Sequence, residues 1–200
     1  MDKNSWISDS ERTLLASPVM TLVERKAHSS EDGRPFTFYV LRSRDWCNII
    51  PVTADGKVVL VRQHRAGINA HTVEIPGGVA DATDPDPAAA AVRELAEETG
   101  YVPLPQARVE TLGWTHPNPA ILDNRCHSFI VGPVQRTQEP QLDAGEMIET
   151  LEVPIAELPA WIRDGKVTHA LMLNAFLFLL LRDRGTAGAL AHQLEAFVGR

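Results

Sequence analysis

The sequence predicts an α+β domain built on a mixed β-sheet. Three observations carry this. The chain holds many short Val/Ile-rich runs of strand length, it holds only a few helical stretches, and the two kinds do not alternate regularly as strand–helix–strand units would. At 200 residues the chain is long enough for one domain with a small appendage.

Residues 1–16 are polar and read as loosely helical. Two β-like runs follow, Val19–Val23 and Phe36–Leu41, separated by the turn-rich Ser29-Ser30-Glu31-Asp32-Gly33. Cys47–Val52 and Val58–Gln63 flank Asp55-Gly56, a strong hairpin signal. Val73–Ile75 is a short strand stopped by Pro76-Gly77-Gly78. The clearest helix comes next. Asp86 suits the N-cap, Pro87 the first helical position and Gly100 the position past the end, with helix formers between. Further strands are expected at Ala107–Leu112, Ser128–Val131 and Glu149–Val153, and helices at Ile155–Asp164, Thr168–Arg182 and Ala187–Val198. Residues 1–43 read as an N-terminal appendage and 44–200 as the main domain.

Composition narrows the function. A net charge of −7 argues against gripping nucleic acid through the overall field, but leaves a nucleotide substrate open because a local metal can supply positive charge. Only Cys47 and Cys126 occur, with no zinc spacing, so a reducing, cytoplasmic setting is expected. No basic segment followed by an apolar run opens the chain, so no signal peptide is read there. Ala170–Leu181 is the most apolar stretch. It is far shorter than the ~20 residues of a membrane span, so it reads as a core helix and no membrane partner is expected.

Chemistry concentrates in the Asp86–Gly100 helix. Glu94, Glu97 and Glu98 fall within five residues, at helical spacings that put them on one surface. Arg93 can offset part of their repulsion through Glu97, while Ala88, Ala91, Val92, Leu95 and Thr99 form the packing face. A solvated acidic face is one reading. An oxygen-ligand site for a hard divalent cation is the other, and the Pro-Gly-Gly loop just before the helix favours it, because backbone without Cβ can approach a ligand closely.

Arg93-Glu94-Leu95-Ala96-Glu97-Glu98-Thr99-Gly100-Tyr101 resembles the second half of the Nudix hydrolase signature at every specified position. The first half departs. Six residues on from Gly78 stands Asp84 where the signature has glutamate, and the loop carries one extra residue, leaving Asp84 or Asp86 as the stand-in. Gln63, Arg65, Glu74, Pro76 and Gly78 before the box, and Pro117 sixteen residues after Tyr101, resemble the branch that cleaves ADP-ribose and nucleoside diphosphate sugars.

The resemblance implies a Nudix fold, an α/β/α sandwich on a mixed central sheet. It implies a Mg²⁺-dependent pyrophosphatase, with Mn²⁺ as a possible substitute. ADP-ribose leads as substrate, and another nucleotide sugar such as GDP-mannose follows. Alternatives are a hydrolase of a dinucleotide or oxidised nucleotide, and a non-catalytic module that senses ADP-ribose. By the same resemblance Glu94 and Glu98 are the main metal ligands, Glu97 supports them, and the Gly77 carbonyl adds an oxygen. Arg93 orients a glutamate, and Glu146 in the loop before the last strand supplies the remaining acid, with Glu149 and Asp143 as competitors. Arg65 and Glu74 read either as a structural ion pair or as pocket lining, and Trp46 either stacks a base or fills a sheet edge. Asn118, Asn124, Arg125 and His127 cluster in a loop and strand where a sugar or phosphate could be read, each with a structural role as the other reading, and the resemblance adds Pro117 as a substrate contact. A homodimer is expected, its N-terminal strands reaching the partner's pocket.

Overall fold

The central strands are apolar in runs whose successive side chains point to opposite faces, and that period of two decides the architecture of the second of two units into which the chain divides. The structure, a computed structural model, describes residues 4–182. The predicted helix Ala187–Val198 lies outside the described residues.

The first unit comprises the described residues up to Asp45 together with His116–Arg125. It is an antiparallel meander of β1 (Trp6–Ala16), β2 (Thr21–Ser29) and β3 (Pro35–Arg42). The expectation of loose helix over residues 1–16 is corrected here. Trp6 through Ala16 pair with Ser29 back to Thr21, and every residue of β1 is exposed, so no hydrophobic period marks the strand in sequence. Cross-strand charge complementarity supports the register: Arg12 faces Glu24 at 3.2 Å, and Glu11 faces Arg25 at 2.6 Å and also pairs with Arg42. Trp6, Phe36 and Phe38 form an aromatic cluster with ring centroids 4.8–5.6 Å apart.

The second unit takes Trp46–Thr115 and the described residues from Cys126 on. Its strands are β4 (Trp46–Thr53), β5 (Lys57–Arg65), β6 (Ala70–Glu74), β7 (Gly77–Val79), β8 (Tyr101–Thr115), β9 (Cys126–Arg136) and β10 (Ile148–Pro154). The main path runs β10-β5-β4-β9-β8, with β6 on β5 and β7 on β4. The β4–β9 pairing is parallel and the rest antiparallel, so the sheet is mixed, as expected. Gly56 adopts φ 81° in the predicted Asp-Gly turn, where glycine alone is unstrained.

Helices cover both faces. Ile49 and Val59 point to the side of α1 (Pro87–Thr99), packing with Ala90, Ala91 and Leu95. Their neighbours Ile50, Val58 and Leu60 point to the other side, where α2 (Leu158–Arg163) and α3 (Ala170–Leu181) contribute Leu158, Met172, Ala175 and Phe176. This is the α/β/α layering. Truncating Leu95, fully buried, to alanine would remove about 2–5 kcal/mol. Among the described residues no helix is long and apolar enough to cross a membrane.

Candidate active site

Local signals fix the box helix as the sequence predicts. The Asp86 carboxylate accepts the Ala89 N–H at 2.8 Å, Pro87 opens α1, and Gly100 closes it at φ 74°. Asp86 is therefore a cap, and the other candidate stand-in, Asp84, takes a different role. Its carboxylate accepts from Arg93 Nε at 3.1 Å and Nη2 at 3.0 Å, and from the Asp81 N–H.

Arg93 is the hub of this network. Nη1 also donates to Glu97 at 2.7 Å and to Glu94 at 3.0 Å. The expected orienting role is what this geometry offers: one guanidinium ties the loop to two glutamates of the helix. Glu97 is the most exposed of the three glutamates, Glu94 is largely covered, and Glu98 is buried.

The glycine loop sets how closely those carboxylates approach the sheet. Pro76-Gly77-Gly78 does not merely stop a strand, as predicted. Gly77–Val79 forms β7, paired to Asn48, Cys47 and Trp46 of β4. The pairing is tight because a Cβ on Gly77 would strike the Cys47 carbonyl and the Asn48 backbone. A Cβ on Gly78 would instead strike the Glu94 carboxylate. Gly77 N–H donates to Glu98 Oε2 at 3.0 Å.

The electrostatics follow from this burial. Desolvation pushes Glu94 up to about 7 despite Arg93, and Glu97 and Glu146 add to the rise. Desolvation raises Glu98 well above the usual carboxylate range against the pull of the Gly77 N–H. Two desolvated carboxylates one helical turn apart present hard oxygen ligands, which suit a divalent cation. Among the described residues no group of three or more His, Cys, Asp or Glu side chains is placed to hold a metal ion. Mg²⁺ needs only a few carboxylates, because water and phosphate oxygens fill its remaining positions.

Glu146 closes a turn in which its N–H donates to the Asp143 carbonyl at 2.9 Å, and its charge acts on Glu94, Glu98 and Arg65. Its competitor Glu149 lies on β10 opposite Arg62, 3.3 Å from that guanidinium, and is largely exposed. The segment leading to Glu146 is strapped to the end of α1. Gln141 N–H donates to Glu97 O at 2.7 Å and Thr137 N–H to Gly100 O at 3.0 Å.

A cavity of about 460 Å³ is lined by Trp46, Arg65, Ile68, Thr72 and His169. Arg65 and Glu74 do form the ion pair, through Nε at 2.8 Å and Nη2 at 2.6 Å, and Arg65 lines the cavity as well, so both readings of Arg65 hold. Glu74 is fully buried. Burial pushes it up, yet Arg65, His169 and Thr72 together hold it down at about 2. Trp46 is not at a sheet edge: its strand runs between β7 and β9, and its ring faces the cavity under Arg65, 5.4 Å from the guanidinium carbon.

Pro117, Asn118, Asn124 and Arg125 belong to the first unit, whereas the carboxylates and the cavity are built from the second. Asn118 O accepts from Leu122 N–H, Asn124 Nδ2 donates to Arg44 O, and Arg125 N–H donates to Asp45. His127 pairs with Cys47 and Trp114 in the second unit. Sequence reasoning missed His169 and Thr72. Neither lies in a motif, and His169 meets Glu74 from 95 positions away.

Residues 44–171 match the NUDIX domain family model. The chain is 28% identical over 136 residues to the ADP-ribose pyrophosphatase of Bacillus subtilis, covering 68% of this chain and 71% of that protein. It is 27% identical over 139 residues to the methanol dehydrogenase activator of Bacillus methanolicus, with the same 68% and 71% coverage. A crystal structure of an ADP compounds hydrolase superposes with TM-score 0.78 at 18% identity, covering 92% of this chain and 97% of that one, which shows a shared fold.

Proposed function

Since this chain belongs to the NUDIX domain family, we propose that it is a Mg²⁺-dependent pyrophosphatase that cleaves ADP-ribose or another nucleoside diphosphate sugar. The observation that carries the reading is the pair of desolvated carboxylates, Glu94 and Glu98, held against a glycine strand beside a cavity that Arg65 and Trp46 line. The similarity to the Bacillus subtilis ADP-ribose pyrophosphatase supports ADP-ribose first, with GDP-mannose and related nucleotide sugars next.

Glu94 and Glu98 would hold the cation, with the Gly77 carbonyl as the further oxygen ligand that the resemblance implies. Mg²⁺, or Mn²⁺ in its place, would neutralise diphosphate charge and lower the pKa of a bound water. Gly77 N–H fixes the Glu98 carboxylate, and Arg93 fixes Glu94 and Glu97. Glu146 takes the proton of the attacking water as its oxygen bonds to phosphorus and the P–O–P bridge breaks. A nucleoside monophosphate and a sugar phosphate leave. Arg65, held in place by Glu74, meets the negative substrate, and Trp46 offers a ring face to a base or sugar.

We further propose that the chain is a homodimer assembled through residues 1–43. The fully exposed β1 and the apolar Trp6, Leu15 and Phe36 on the first unit support this. The buried thiols Cys47 and Cys126 suit the cytoplasm. Pro117 is assigned to substrate contact by the resemblance, and Asn118 and Arg125 by their polar side chains in the same loop.

One experiment tests the reading. Purified protein with Mg²⁺ is offered ADP-ribose, GDP-mannose, dinucleotides and oxidised nucleotides, with a phosphatase added to release phosphate from the monoester products. Turnover of nucleotide sugars at a kcat/KM at least tenfold above the other compounds is expected. Preference for dinucleotides or oxidised nucleotides would move the substrate class. Tight ADP-ribose binding without turnover would make the chain a sensor.

A further inference from the structure

The cavity beside the carboxylates contains a side chain that the hydrolytic steps above leave unused. His169 stands just before α3 on extended backbone, and its ring lines the cavity. Its Nδ1 is 2.8 Å from Glu74 Oε2. An ionised carboxylate only accepts hydrogen bonds, so Nδ1 carries the proton. In the neutral ring Nε2 then bears a lone pair, and among the described residues it has no hydrogen-bond partner.

Glu74 does more than pair with Arg65. Its buried carboxylate accepts from Arg65 Nε and Nη2, from Thr72 Oγ1–H at 2.5 Å, and from His169. Arg65, Thr72 and His169 all line the same cavity. One buried anion thus sets the orientation of three cavity-facing side chains. It leaves Nη1 of Arg65, which has no hydrogen-bond partner among the described residues, as a donor. It leaves Nε2 of His169 as an acceptor.

A fixed donor and a fixed acceptor on one wall select a group that can both give and take a proton. A sugar hydroxyl does both, whereas an ionised phosphate oxygen has no proton to offer Nε2. The Trp46 ring and Ile68 supply apolar surface for the face of a sugar ring. Arg65 also lies within electrostatic reach of Glu98 and Glu146, so the cavity adjoins the hydrolytic carboxylates. We propose that His169 is a specificity-determining residue whose Nε2 accepts a hydrogen bond from a sugar hydroxyl of the nucleoside diphosphate sugar, its tautomer set by Glu74. This rests on the hydrolase reading above.

Two variants separate the ring's two nitrogens. His169→Asn keeps an amide N–H in the place of Nδ1 and removes the acceptor. His169→Gln reaches the place of Nε2 with a carbonyl and gives up the Nδ1 bond. Steady-state kinetics and thermal melting are measured on both, with ADP-ribose and with analogues lacking hydroxyls on the nucleoside ribose or on the terminal sugar. For His169→Asn the expected result is a KM about 10-fold higher, kcat within about threefold and an unchanged Tm, as befits a lost ground-state hydrogen bond. His169→Gln should recover part of the KM. The analogue missing the contacted hydroxyl should raise the wild-type KM by a similar factor, and His169→Asn should add nothing on it, which identifies the sugar.

The proposal is overturned if His169→Asn leaves KM within twofold on every cleaved substrate. It is equally overturned if all substrates lose KM alike, or if kcat and Tm fall together. Should His169→Asn not fold, the analogues on wild type and on His169→Gln decide by the same criterion. If the wild type cleaves no diphosphate at all, the hydrolase reading falls with it. If it cleaves them and is indifferent to His169, only this inference falls.

Discussion

Gly78→Ala should remove most activity while leaving the fold in place. The new methyl would lie 2.5 Å from Glu94 Cδ and 2.8 Å from its Oε2, with Oε1 nearer still. Carbon–carbon contacts settle near 3.5 Å or beyond, so the carboxylate must retreat by about 1 Å. What moves is the free end of a side chain, not backbone, and Gly78 is not among the positive-φ glycines, so alanine fits its conformation. The stability change should therefore stay within about 1 kcal/mol, helped by the lower entropy of the unfolded chain. A ligand displaced by about 1 Å costs roughly 10²-fold in rate, or about 2.7 kcal/mol of transition-state stabilisation. Thermal melting with EDTA and kcat measured against Mg²⁺ concentration form the assay. Gly77→Ala is the contrasting control. Its methyl would meet the Cys47 carbonyl and stand 2.8 Å from Asn48 Cα, so backbone must yield and the melting temperature should fall by several degrees. If Gly78→Ala retains activity within threefold, Glu94 is not the ligand assigned to it. If instead it unfolds like Gly77→Ala, the crowding is not absorbed by Glu94 as argued.

Three further outcomes are expected. Glu98→Gln should lower kcat by about 10²-fold or more without lowering the Tm, because a neutral amide replaces a buried charge; turnover within threefold of wild type would remove Glu98 from the ligand set. Glu146→Gln should lower kcat by about 10²-fold with little change in KM, and Glu149→Gln, paired with Arg62, should do much less; the reverse result would exchange their roles. For Glu94 the folded value of about 7 lies above the ordinary 4.5, so its contribution to metal-free stability is present below 4.5 and lost as pH rises to about 7, with Glu98 acting in the same direction. Tm in EDTA should decline across that window from this pair, and divalent cation should flatten the decline. Glu74, held near 2, acts oppositely: its contribution is present above 4.5 and is lost as pH falls towards 2.

What was legible in the sequence was local. Asp86, Pro87 and Gly100 carry the ends of α1 in their own backbone preferences, and the glutamate spacing places Glu94 and Glu98 together on one helix. β1 escaped notice because a strand exposed along its whole length has no apolar alternation, and its pairing depends on charges in β2. β7 escaped because Gly-Gly signals a turn, whereas here its lack of side chains is what lets the strand lie against β4. The roles of Asp84 and His169 needed tertiary contacts, to Arg93 and to Glu74, that no spacing encodes.

The strap from Gln141 to Glu97 makes chain length a determinant of chemistry. Glu146 is held from both sides, five residues beyond an anchor on the helix that carries Glu94 and Glu98 and two residues before Ile148, where β10 pairs with β5. Those five residues can pay out at most about 17 Å of contour. Inserting or deleting a residue between 141 and 146 would reset the reach of Glu146, the proposed proton acceptor, while leaving Glu94, Glu97, Glu98 and Glu146 in the sequence. Relatives that keep the whole glutamate set can thus differ in rate through a leash one residue longer or shorter, a variable that comparison of motif residues alone does not register.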